Sequence, residues 1–217
     1  MIKNLRKFDR KACFQFAFGV IILSGLFGCT SSKGHNFDSN HVQNISLNST
    51  NSKDIKTWFG EPFRTMVKET SGFETEIYNY AFTKQTMSSA GGRFLIIELK
   101  DSIVNGYNFK SSFLEDTTDF DSNNRKSLKI EETKTPEVIR ILGNPNGKIQ
   151  LPTNMVPRKY IDAAPENSSE VWVYSHFTGN RKGGLTQLHI KELILYFNSS
   201  GLLVHTKFIE GDKDPKR

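Results

Sequence analysis

The sequence predicts an α+β protein in which short helices pack on antiparallel strands and the same order of elements runs twice along the chain. Three observations carry this. The stretch ISLNSTNSKDIKTWFGEP from Ile45 and the stretch LKIEETKTPEVIRILGNP from Leu128 match position by position at an offset of 83. Internal similarity at a fixed offset is the mark of a repeated unit. Each stretch contains a complete short-helix signal, and each is followed by three segments with strand-like alternation.

The first element is not part of the domain. Lys3, Arg6, Lys7, Arg10 and Lys11 precede an apolar run from Cys13 to Gly28, the cationic-then-apolar order of an export signal. The run is shorter than the roughly 20 apolar residues that span a bilayer. It ends at Leu26-Phe27-Gly28-Cys29, which resembles a bacterial lipobox, and that resemblance implies removal of residues 1–28 and acylation of the Cys29 thiol. Cys13 and Cys29 are the chain's 2 cysteines, so a lipidated chain keeps no thiol for a disulfide, a metal cluster or a nucleophile. Thr30, in place of aspartate, implies transfer to the outer membrane, facing the periplasm. The polar stretch 29–44 reads as a tether. Much of the formal charge of +6 sits in the signal, and no basic stripe suggests nucleic-acid binding.

The helices come next. Ser52 and Thr135 are candidate N-caps, with Asp54 and Glu137 in the first turn and Pro136 at the first helical position. Ile55, Trp58 and Phe59, like Val138, Ile141 and Leu142, make one apolar stripe. Gly60 and Gly143 supply the left-handed conformation that ends each helix, and a proline follows two residues later. Strands are expected over 75–83, 93–100 and 103–109, then over 170–178, 187–197 and 202–210. Ser88-Ser89-Ala90-Gly91-Gly92 reads as a flexible hairpin loop and Ser199-Ser200-Gly201 as a tight turn. The domain boundaries are then 45–110 for the first unit, 111–210 for the second and 211–217 for a charged tail.

Thr133, Val138, Leu142-Gly143-Asn144-Pro145, Trp172-Val173-Tyr174 and the span from Phe197 to Gly201 together resemble the BamE/SmpA family of outer-membrane lipoproteins. Ile55, Phe59-Gly60-Glu61-Pro62 and Tyr78-Asn79-Tyr80 are the parallels in the first copy. The family's Gly-Met entry is absent from both. The resemblance implies two tandem ααβββ units, an arrangement similar to the β-lactamase-inhibitor proteins. It implies a non-enzymatic, protein-binding role with an envelope partner, the β-barrel assembly machinery first. The alternative is a membrane-tethered enzyme inhibitor or ligand-sensing module.

Within that frame the residues leave two readings of the aromatics open. Tyr78 and Tyr80 alternate on one strand face, as do Trp172 and Tyr174. Asn79 and Ala81 opposite the first pair favour burying it, whereas Val171 and Val173 opposite the second favour exposing it. These four, with Met155 and Tyr160 from the long segment 147–169, are the candidate partner-binding residues. The alternative for 147–169 is a flap over the sheet edge. His176, His189 and His205 fall on predicted strands but lack paired metal-ligand spacing, and the carboxylates show no catalytic pairing. No metal, cofactor or enzymatic activity is expected.

Overall fold

Strand pairing begins at the edge of the chain assigned to the tether. The computed structural model describes residues 31–70, 73–85, 90–155, 160–182 and 185–213, so the signal, Cys29 and the final residues of the tail lie outside the described residues. The strands are β1 (Ser31–Gly34), β2 (Arg64–Thr70), β3 (Phe73–Gln85), β4 (Ala90–Lys100), β5 (Ile103–Ser111), β6 (Gly147–Gln150), β7 (Glu170–Lys182), β8 (Leu185–Phe197) and β9 (Leu203–Lys213). They form a single 9-stranded sheet in the order β1-β3-β4-β5-β6-β7-β8-β9, with β2 on the same edge of β3 as β1. Every pairing is antiparallel. The α+β class expected from the sequence is the class observed.

The short helices are Ser52–Phe59 and Thr135–Leu142. Asn51, one residue before the predicted cap, caps the first: its side chain accepts from the Lys53 and Asp54 N–H groups at 2.9 and 3.1 Å while Asp54 accepts from the Asn51 N–H. This is a reciprocal capping box. Lys134 precedes the second helix and places Thr135, not Pro136, at its first position. Gly60 and Gly143 end the helices at φ/ψ of 74/−158° and 78/−169°. That region is nearly closed to any residue with a β-carbon, more so than the left-handed cap expected.

Hydrogen bonds recur about Thr50 and Thr133, 83 residues apart. Ser46 N–H and Lys129 N–H donate to the Thr50 and Thr133 hydroxyls, both at 2.9 Å. Val104 N–H and Leu203 N–H donate to the Thr50 and Thr133 carbonyls. Asp38 and Asp121 cap matching 3₁₀ helices at Ser39–Asn44 and Ser122–Ser127. Each half thus carries a 3₁₀ turn and an α-helix on one sheet face.

The 29–44 tether reading is corrected over its described part. Ser31–Gly34 pairs with β3, and Phe37 and Val42 are buried under the first helix with Ile55, Phe59 and Tyr80. Burial of these two side chains is joined by the β1 ladder and by the Arg93 bonds to Asn36 and the Phe37 carbonyl, and together they hold the polar stretch down. Gly91 and Gly92 are likewise not loop residues. They lie in β4, where a β-carbon on Gly91 would meet the Phe113 ring at 2.9 Å.

Candidate functional site

All six candidate partner-binding side chains are buried. Tyr78, Tyr80, Trp172 and Tyr174 point toward the helices and are no more than 4% exposed. The hydroxyls of Tyr80 and Tyr174 donate to the carbonyls of the helix-ending Gly60 and Gly143 at 3.0 and 2.8 Å, so these tyrosines bolt helix to sheet. Val171 and Val173, on the other face, are also buried, under Met155 and Tyr160. The expectation that one face of this strand stays open fails because the segment after β6 covers it.

That covering segment is pinned by two buried glutamates. Glu98 accepts from the Asn154 N–H at 2.6 Å, the Asn105 amide at 2.8 Å and the Thr153 hydroxyl. Glu192 accepts from Lys110 Nζ at 2.9 Å and from the Tyr160 hydroxyl. Burial and the adjacent Glu192 charge push the Tyr160 phenol far up, which keeps it a donor at any ordinary pH. The segment 147–169 is therefore part strand and part clamped cover, and Met155 and Tyr160 are its plugs.

The remaining candidate is the connection between the halves, residues 112–121. It borders a recess of about 210 Å³ lined by Gln43, Thr118, Asp119, Phe120, Asn144 and Tyr174 among others. Thr118 donates its hydroxyl proton to the Ser111 carbonyl at 2.9 Å and faces His176 Nδ1 at 3.0 Å. The Thr118 hydroxyl is thus shared between a backbone carbonyl and the imidazole. Burial lowers the His176 pKa. At Asp119 burial acts upward, but the Lys191 hydrogen bond and the nearby His176 outweigh it and hold the carboxyl low. The recess is lined mainly by polar groups. Among the described residues no three potential ligands converge on a metal position.

Two basic residues anchor the chain on either side of this connection. Arg93 donates to Asp116 at 2.9 and 3.0 Å, to Asn36 and to the Phe37 carbonyl. Lys191 donates to the Phe120 carbonyl at 2.6 Å and to Asp119. Phe37 and Phe120 stand 83 residues apart, and the string Phe-Asp-Ser-Asn begins at each. That identity, just upstream of the aligned stretches, was the available signal for these anchors. Exposed Phe63 (70%), just before β2, and Val67 (55%), in its middle, had no periodic signal to mark them.

No family model matches the chain, and no curated protein matches it. A solved structure from Streptococcus mutans named "putative beta-lactamase inhibitor protein" is similar at 15% identity and a TM-score of 0.47, over 82% of this chain and 98% of that one. At that distance the likeness assigns no function.

Proposed function

We propose that the protein is a non-enzymatic outer-membrane lipoprotein, acylated at Cys29 and facing the periplasm, whose two tandem BamE-like units bind an envelope protein as an adaptor or stabiliser. The observation that carries the tandem reading is the pair of tyrosine-to-glycine bonds closing each helix onto the sheet, Tyr80 to Gly60 and Tyr174 to Gly143. The lipobox supports the location. With the aromatic candidates buried, contact falls to exposed surface, and Phe63 with Val67 is the apolar pair available on the β2 side. The β-barrel assembly machinery is the first partner to test, in line with the family resemblance.

Crosslinking in native membranes followed by affinity capture tests this reading. Recovery of barrel-assembly proteins, reduced by Phe63→Ser in a protein of unchanged melting temperature, is the expected result. Recovery of a hydrolase in their place would replace the adaptor by a tethered inhibitor. Cys29→Ala should release the protein from the membrane fraction or leave the signal uncleaved. A processed, acylated and membrane-bound variant would refute the anchor.

A further inference from the structure

We propose that the end of the sheet where β1 begins lies directly against an anionic phospholipid surface, with Leu114, Lys33 and Lys84 as its contacts. This rests on the reading of Cys29 as the lipid anchor. A single residue, Thr30, separates Cys29 from Ser31, and two Cα steps of about 3.8 Å hold the anchor within about 8 Å of the first paired residue. Ser31 is already in register with Gln85. A domain held this closely has no free chain with which to stand off the bilayer.

The groups gathered at that end suit a lipid surface. Antiparallel order brings the start of β1, the end of β3, the start of β4 and the end of β5 to one side of the sheet. Three steps of about 4.8 Å separate β1 from β5 laterally, so Leu114, three residues beyond β5, falls near the anchor. Its side chain is 91% exposed, held on the 3₁₀ turn that Arg93 clamps through Asp116. Lys33 pairs with Thr83 while Lys84 is the next residue along β3, so the two ammoniums flank β1 on opposite faces, and both are exposed. The acids there are engaged elsewhere: Glu115 and Asp116 by Arg93, and Glu210 and Asp212 by His189. Two exposed lysines and an exposed leucine beside an acyl anchor match the two-signal logic of stable membrane attachment.

Full-length lipidated protein carrying Leu114→Cys or Ser199→Cys, labelled with a thiol-reactive fluorophore, should be reconstituted into phosphatidylethanolamine–phosphatidylglycerol vesicles containing brominated lipid. Ser199 is exposed in the β8–β9 turn at the opposite end of the sheet. Quenching at 114 should exceed that at 199 several-fold, and Lys33→Glu with Lys84→Glu should reduce it in these vesicles far more than in phosphatidylcholine. Mass spectrometry of the same samples separates the two readings. A chain lacking the acyl mass would remove the anchor and this inference with it. An acylated chain with equal quenching at both positions would overturn the membrane-facing end alone.

Discussion

Adding a single methyl group to Gly60 or Gly143 isolates backbone strain from every other cost. Both residues sit at φ near +75° with ψ beyond −150°, and a β-carbon built on either meets nothing within 4 Å. No clash, cavity or lost side-chain bond enters, so any loss in Gly60→Ala or Gly143→Ala is conformational. A non-glycine residue in such a region costs about 1–3 kcal/mol. For a protein of this size each kcal/mol moves the melting temperature by about 2–4 °C, so a fall near 5 °C is expected for each variant. Urea unfolding followed by circular dichroism should show lowered midpoints at unchanged slope. Because the two sites share one geometry, the two losses should agree within about 0.5 kcal/mol and add in the double variant. A loss below about 0.5 kcal/mol at either site, or clearly unequal losses, would refute the argument from positive φ.

Arg93→Met should destabilise by about 3–5 kcal/mol, because it strands the fully buried Asp116 carboxylate without its cation; adding Asp116→Leu should recover much of the loss, and strictly additive losses in chemical denaturation would contradict the pairing. The chain's 6 tyrosines all have raised pKa values, chiefly through burial, with Tyr78 and Tyr196 pushed up to about 12 and the other four higher still. The unfolded chain ionises near pH 10 while the folded one holds its protons, so this contribution to stability is intact below pH 10 and is lost as the pH rises toward about 12. Ultraviolet titration should show little tyrosinate at pH 10 followed by a cooperative rise, and half-titration of the folded protein at pH 10 would refute the burial.

The sequence carried the class, both helices, all six long strands and both helix-ending glycines, because each rests on local chemistry: a stripe, a glycine stop or an alternation. It did not carry β1, whose Ser-Ser-Lys-Gly has no apolar alternation, β2, which falls before the first expected strand, or β6, which is four residues long. The partner-binding candidates failed for a different reason. Alternation separates the faces of a strand only when one face is wet. In β7, Trp172 and Val171 are both buried because a segment distant in sequence covers the second face. Phe37 and Val42 were hidden by polar neighbours, since two apolar residues do not raise the average of a 16-residue stretch.

β6 also removes exposed strand edges. Two separate sheets would present four rows of unpaired backbone groups, and any such row is a template on which another chain can add. By pairing with β5 on one side and β7 on the other, these four residues remove two of the rows at once. The β9 margin carries Lys207, Glu210 and Asp212, charges that disfavour stacking. On the opposite margin β2 stops at Arg64 against Asn79 while β1 resumes at Gly34 against Phe82, so no straight, continuous row remains for a second molecule to follow. With the central rows consumed, one margin charged and the other offset, the sheet offers few templates for the edge-to-edge pairing that seeds self-propagating assembly.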